Sequence, residues 1–355
     1  MQIHIDCTQI RQNTRAIVNT CAIYGIGVAG VTKACCGHPD VARAMLEGGV
    51  SMLADSRLAN VRRMREAGIT SNIMLLRLPS PSEAAAVVAL TQFSLNSEVE
   101  TVCSLARAAQ AQGVMHRVIL MVEMGDRREG IMPERIIDAV RDMLDLPGIE
   151  LAGLGTNVGC IAGVAPTREN TQMLVTVAEQ VERALGLRFS VISGGHSASL
   201  PLVERSRMPS RVNQLRIGEA ILLGRDWASG WSLPPPHKNA FRIMARVIEV
   251  QTKPSLPEGV RMPDPFGRIP HWVDLGPRRR AILAIGEQDL HVEGLRPLRE
   301  GVTLVGASSD HLVLDVTNAD PPVTLGEEIE FEPAYAALST AMAHINATQL
   351  IRAKG

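Results

Sequence analysis

The strongest constraint on this chain is an alternation that runs through its first two thirds. Short apolar runs are separated by stretches with helical spacing of apolar residues. Eight runs read as strands, at 25–33, 50–55, 72–78, 92–96, 117–123, 149–156, 188–193 and 213–217. Several are almost continuously apolar, as in VILMVEM from Val118; that texture suits parallel strands covered on both faces. Helices are expected between them at 39–47, 57–66, 97–112, 133–143, 167–185 and 200–205, with Pro39 and Pro133 suited to a first helical turn. Eight strands, mostly followed by helices, predict a (β/α)8 TIM-type barrel. An open doubly wound sheet is the alternative, but it usually has fewer strands and often a glycine-rich loop after the first. Lys33-Ala-Cys-Cys-Gly37 is not such a fingerprint.

SLPPPHK at 232–238 marks a boundary, because three successive prolines stop a helix and stiffen a connection. Beyond it, FRIMARVIEVQT, RAILAI, VTLVGAS, HLVLDVT and EIEFE read as short strands, and helical patterning is scarce until about Tyr335. The expected organisation is a barrel over 1–231, a linker at 232–238 and a mainly β domain over 239–355. Composition narrows the partners. The formal net charge is −1 and aromatics make up 3% of the chain, which gives no electrostatic or stacking basis for nucleic-acid binding and none for an anionic membrane. The N-terminal segment lacks a hydrophobic signal core, and no apolar run is long enough to span a bilayer. A soluble cytoplasmic protein with reduced thiols is expected.

In a barrel of this type the chemistry sits at the C-terminal ends of the strands. The first strand ends at Lys33, the second at Asp55, the third at Arg77, the fourth at Asn96 and the sixth at Thr156 and Asn157; the fifth runs into the loop EMGDRREG from Glu123 to Gly130. The seventh runs into SGGHSAS from Ser193, and the eighth carries Arg216, Gly218 and Glu219. Loops after strands seven and eight are the usual phosphate site of the fold. Gly194, Gly195 and Gly218 would let backbone N–H groups approach an anion, and Ser197 could add a hydroxyl donor. A lysine in the mouth gains a usable amine when burial lowers its pKa. Lys33 facing a phosphate site is what a Schiff-base enzyme needs, with either a phosphosugar or pyridoxal phosphate. Arg216 could face a pyridine nitrogen, or form a structural ion pair with Glu219 or Asp55. Cys35 and Cys36 are adjacent rather than spaced as a metal or redox pair, and no other His/Cys/Asp grouping has metal-ligand spacing. His38 reads as a polar residue at a helix start.

These segments together resemble the alanine racemase-like, fold-type III pyridoxal phosphate enzymes, and within them the alanine/ornithine racemase subgroup. The likeness covers nearly the whole chain. VTKACCGHP is similar to the segment whose lysine carries pyridoxal 5'-phosphate as a Schiff base, which implies that role for Lys33. GGHS is similar to the phosphate-loop segment and implies Ser197; RIGEAILLG implies Arg216 at the ring nitrogen and the Gly218–Glu219 backbone at the phosphate. MGDRREG implies Arg128 at the cofactor phenolate and the substrate carboxylate. GASSDHLVLDVT resembles the segment that reaches a partner's active site, implying a homodimer in which Ser309 and Asp310 bind the substrate carboxylate. Tyr335 in AYAAL stands near a phosphate-contacting tyrosine, and Asn157 stands where a ring-stacking histidine is usual.

One departure bears on the chemistry. The family's catalytic tyrosine lies in a Tyr-Gly pair of the β domain, where this chain has Asp264-Pro-Phe266-Gly267. The chain has only two tyrosines, Tyr24 and Tyr335. The second base must therefore be another group, or the enzyme works with one base; Asp264, Glu287 and His311 are the candidates, with Asp264 taken first because it adjoins the vacated position, and a turn-capping role for Asp264 stands beside that reading. The resemblance implies racemisation of a basic amino acid, ornithine first and then lysine or arginine. A racemase of a small amino acid such as alanine or serine is one alternative, and a D-amino-acid lyase or aldolase of the same fold is another. Asp126 and Glu129 in the fifth loop would suit a distal ammonium group.

Overall fold

The computed structural model of the chain describes residues 1–264, 266–269 and 271–352. Pro265, which follows Asp264, and the last three residues of the expected β domain lie outside the described residues. The chain divides into two compact units, one of residues 7–238 and one of residues 1–6 with 239–355.

The first unit is a closed parallel barrel. Its strands are Gly27–Val31, Met52–Asp55, Ile73–Leu75, Phe93–Asn96, His116–Met121, Ile149–Gly155, Val191–Ser193 and Gln214–Ile217. The first pairs with the last in register, Gly27 opposite Gln214 and Gly30 opposite Ile217, which closes the ring. All eight expected strands are present, each one to three residues shorter at one or both ends where the chain leaves its pairing, except that the fifth begins one residue earlier than expected. Their alternate faces make two cores. Ala29, Val31, Met52, Ala54, Met74, Leu95, Ile119 and Met121 form the inner one. Val118, Leu120 and Leu154 face outward onto Val102, Leu105, Leu174 and Val181 of the surrounding helices. That is why these strands read as continuous apolar runs. Gly153 has no room for a side chain, since a Cβ there would lie 1.8 Å from the Val191 carbonyl oxygen.

The covering helices follow the expected spans closely at Pro39–Glu47, Leu58–Glu66, Val99–Gln112 and Arg168–Leu185. Thr167 starts the last with a capping box: its hydroxyl accepts the Asn170 N–H and the Asn170 side chain accepts the Thr167 N–H. A helix at Cys7–Ala22 was not expected from pattern. Its buried face mixes Ile10 and Ile17 with Gln9, Asn13 and Thr14, and Asn13 spends its amide on the carbonyls of Ile221 and Lys238, at 2.9 Å each. Polar residues that are buried because they bond backbone erase the apolar stripe.

The second unit is an eight-stranded, mainly antiparallel sheet ordered Leu295–Pro297, Glu328–Pro333, Phe241–Pro254, Pro277–Leu283, Leu312–Asp315, Thr303–Ala307, with two further strands beside it. Phe241, Ile243, Ala245 and Val247 alternate into its core with Ile329 and Phe331, a period of two. The expected start of the barrel unit at residue 1 is corrected here. Gln2–Ile5 pairs antiparallel with Phe241–Met244 and parallel with Thr348–Ile351, so residues 1–6 belong to the β unit. Four residues bonded to partners near the other end of the chain leave no local signal. Among the described residues, no helix is long and apolar enough to cross a membrane.

Candidate active site

The first barrel strand delivers Thr32 and Lys33 to the mouth, and a single 3-10 turn, Lys33–Cys35, reverses the chain. Cys36 is left-handed at φ 51° and Gly37 follows at φ 64°. A Cβ on Gly37 would lie 2.8 Å from Asn60, so this turn needs glycine both for its dihedral and for its closeness to the next helix. Asp55, from the end of the second strand and 0% exposed, fixes the arrangement from below. It accepts the Thr32 hydroxyl at 2.6 Å, the Arg57 N–H at 3.0 Å and the Asn60 amide at 2.9 Å. Lys33 itself is reached by solvent. Desolvation holds its pKa below the ordinary lysine range; the charges of Arg128 and Arg216 push the same way, against Cys160 and Asp55.

Arg216, on the eighth strand, is 4% exposed. The expected ion pair with Glu219 or Asp55 does not form. Its guanidinium donates to the Ser193 hydroxyl and, at 2.7 Å, to the Thr156 carbonyl. Ser193 passes its own proton to Gln214 Oε1 at 2.9 Å. Burial pulls the Arg216 pKa down to about 10, so a buried cation faces neutral oxygens. Beside it, the Thr156 hydroxyl is buried with no partner among the described residues. Ser197 Oγ accepts the Ala220 N–H at 3.2 Å, which brings the loops after strands seven and eight to one corner. Gly218 precedes the short helix Glu219–Leu223 there, packed so closely on Val31 that a Cβ would lie 3.0 Å away. The Glu219 carboxylate turns to the Trp227 N–H at 3.1 Å; its backbone alone remains for an anion.

The loops after strands five and six are tied together. Asp126, 1% exposed, accepts the backbone N–H groups of Cys160, Ile161 and Ala162 at 3.4, 3.0 and 3.3 Å. Arg128 pairs with its neighbour Glu129. Both carboxylates expected to receive a distal ammonium group therefore already have partners. Asn157 donates its amide to Cys160 Sγ at 3.0 Å, and the His196 ring reaches the Val158 carbonyl at 2.7 Å through Nε2. The charges of Lys33, Arg128, Arg216 and Cys160 perturb one another's protonation, which places the four in one mouth. Cys160 is the residue that sequence reading missed. The strand-end rule stopped at Asn157, and the next few loop residues were the signal available. Asp55 was noted as a strand end but not as the support of the lysine turn. Cys35 and Cys36 are displaced from thiolate chemistry, since burial pushes both thiols up. His38 caps its helix by accepting the Asp40 N–H at 3.3 Å.

The remaining expected residues lie in the β unit. Asp264 accepts the N–H of Phe266 at 2.9 Å, and the N–H and Nε–H of Arg268 at 2.8 Å each. Arg268 also reaches Glu287 at 2.8 Å and stacks over the Phe266 ring at 4.9 Å. Asp264 is thus the tie of its own loop, the turn-capping reading. Its carboxyl stays below the usual range because the bonds from Arg268 and Phe266 outweigh desolvation. Gln288 donates to Asp310 at 3.3 Å and to the Ser309 carbonyl at 3.1 Å, so Asp264, Phe266 and Arg268 form one cluster with 287–288 and 309–310. Tyr335 opens the helix Tyr335–Ala343. Among the described residues no three His, Cys, Asp or Glu side chains gather to hold a metal ion.

A pyridoxal phosphate fits the barrel mouth on these observations. Lys33 offers an amine with a lowered pKa, Arg216 a buried cation facing neutral oxygens, Thr156 a buried hydroxyl without a partner, and the Ser197–Gly218 corner closely spaced backbone. The family model described as alanine racemase, N-terminal domain, matches residues 5–226. The chain is 39% identical to the lysine racemase of Thermotoga maritima over 338 residues, 95% of this chain and 94% of that protein. It is 35% identical to the ornithine racemase of Acetoanaerobium sticklandii, over 95% of each. In fold it is similar to the alanine racemase of Streptomyces coelicolor, with a TM-score of 0.76 and 18% identity over 100% of this chain and 98% of that one.

Proposed function

Since this chain belongs to the alanine racemase N-terminal domain family, we propose that it is a pyridoxal 5'-phosphate-dependent racemase of a basic amino acid, ornithine first and then lysine or arginine. The observation that carries the reading is the Asp55-supported turn that presents Lys33 beside the buried Arg216. The names of the two relatives that share most of its length carry the choice of a basic substrate.

When bound, the cofactor delocalises the electron pair left at Cα, which makes the Cα proton removable. Lys33 would hold the cofactor covalently and, once released by substrate, move a proton on one face of Cα. Its lowered pKa leaves more of the amine neutral near pH 8 than an ordinary lysine would. Arg216 would meet the ring nitrogen; being already cationic, it disfavours a protonated ring. Ser197 and the Gly218 and Glu219 backbone would take the phosphate, Arg128 the phenolate and the substrate carboxylate, and Asn157 a ring face. The same resemblance carries the proposal of a homodimer in which Ser309 and Asp310 of one subunit serve the other's mouth, and of Tyr335 as a contact of the cofactor phosphate. A cytoplasmic location belongs to the proposal too, supported by six free cysteines.

The test is turnover of L- and D-amino acids in deuterated water with a chiral readout. Deuterium incorporation with inversion is expected for ornithine, lysine or arginine. Inversion confined to alanine or serine would replace the substrate, and cleavage of the carbon chain would replace the reaction.

A further inference from the structure

Racemisation, the reading on which this inference rests, needs two proton carriers on opposite faces of Cα. Most ionisable groups of the barrel mouth already have other work. Asp55 accepts three hydrogen bonds beneath the lysine turn. Asp126 holds residues 160–162, Glu129 pairs with Arg128, and Glu219 takes the Trp227 N–H. His196 already has neighbours at both ring nitrogens, Nδ1 accepting the Ala198 N–H and Nε2 lying 2.7 Å from the Val158 carbonyl. We infer that Cys160, held at the mouth by Asp126, Asn157 and His196 beside Lys33, is the second proton carrier of this enzyme.

Three observations meet at this thiol. The first is placement: Asp126 grips three consecutive N–H groups starting at Cys160, from the buried end of the neighbouring loop. A carboxylate committed to three backbone donors fixes the loop rather than its own side chain. The second is the environment of the sulfur. Asn157 donates to it at 3.0 Å, and Lys33, Arg128 and Arg216 face it as cations. The His196 bond first, then those of Asn157 and the charge of Arg128, outweigh burial and bring the thiol down to about 7. Thiol and thiolate are then both populated at neutral pH, as a reversible carrier requires. The third is the buried Thr156 hydroxyl, which has no partner among the described residues, four residues before the cysteine on the same strand-to-loop passage. It marks this side of the mouth as built for a bound group.

The step balances in protons. The Cys160 thiolate takes the Cα proton of one enantiomer while the Lys33 ammonium delivers a proton to the opposite face. The pair ends as thiol and amine. The other enantiomer is processed with the roles reversed, and no electrons leave the substrate and cofactor.

The test uses the cofactor-loaded enzyme and the variants Cys160→Ser and Cys160→Ala, with cofactor absorbance and thermal midpoint as controls of folding. Racemisation is expected to fall by roughly a hundredfold or more, while one enantiomer still exchanges its Cα proton for deuterium without inversion. In the wild type, iodoacetamide labelling of Cys160 is expected to rise through an inflection near 7, to slow with substrate present, and to stop inversion while sparing that one-sided exchange. Racemisation by Cys160→Ser within about threefold of wild type, or by the fully labelled wild type, overturns the inference and leaves the racemase reading standing. A wild type that exchanges no amino acid's Cα proton overturns both.

Discussion

The two ends of the barrel each hold an arginine on buried neutral oxygens, and they use it differently. At the end where strands begin, Arg65 donates to the carbonyls of Leu90, Ile69 and Ser71 and to Gln92 Oε1, at 2.8 to 3.0 Å. Four acceptors consume the guanidinium, so it stitches three chain segments and offers nothing to a ligand. At the end where strands finish, Arg216 has two acceptors, Ser193 Oγ and the Thr156 carbonyl. Glu129, Arg128 and Cys160 lie close enough to shift its protonation, and the adjacent Thr156 hydroxyl lacks a partner among the described residues. The first end is finished by the protein alone. The second is left electrostatically incomplete, as a site that must receive an anion or a polar ring has to be. Stability and chemistry divide between the ends of one barrel, and the division can be tested.

The largest effect should come from Lys33→Ala. Racemisation is expected to fall by about a thousandfold or more, and borohydride should no longer fix the cofactor to the chain. Covalently retained cofactor in this variant would remove Lys33 from its role. Arg216→Met should cost roughly a hundredfold in turnover with a small change in thermal midpoint. Arg65→Met should do the reverse: a loss of about 2 kcal/mol from the acceptors it strands, and unchanged turnover per folded molecule. If both arginine variants lost activity and stability together, the contrast between the ends would fail.

His116 sharpens the same contrast through pH. It opens the fifth strand, buried, with Nε2 at 2.8 Å from Ser94 Oγ. Burial lowers its pKa to about 4 from an ordinary 6.5. A histidine whose folded pKa is depressed binds its proton more tightly when unfolded, so stability is full above about 6.5 and falls as pH drops toward 4. The shift corresponds to roughly 3 kcal/mol at the acid end. Urea midpoints across that range should fall for the wild type, and fall less for His116→Gln. Parallel curves would mean that His116 is not what limits acid stability.

The sequence shows the chemical end better than the structural one. Lys33, Arg216 and the 194–197 turn were visible because the barrel rule converts strand ends into a site, and apolar runs mark strand ends well. Arg65, His116 and Asn13 were not, because a buried polar residue that satisfies backbone looks like any surface residue in a pattern. The same reason hides Asp126: its three donors lie 34 to 36 positions away. Gln2–Ile5 fails differently, since a four-residue strand leaves too few alternations to read. Phe266 at the vacated tyrosine position was legible, and it raises the question of a second proton carrier. Its answer depends on a cysteine whose surroundings are set by three separate loops.

The smallest expected effect lies outside the barrel and decides the question from the other side. Asp264 was chosen from sequence because it adjoins Phe266. In the structure its oxygens hold Phe266 and Arg268, and Arg268 in turn holds Glu287. A half-buried carboxylate with a lowered pKa and a standing arginine partner is a poor acceptor near neutrality. Asp264→Asn keeps two of the turn's backbone bonds and weakens the link to Arg268. The expected result is unchanged inversion in deuterated water, an unchanged thermal midpoint and faster proteolysis between 264 and 268. Loss of inversion with one-sided exchange retained would return the second proton to Asp264, and Cys160→Ser would then have to racemise normally. The two variants cannot both abolish inversion by the same route, so measuring them side by side assigns the proton to one residue or the other.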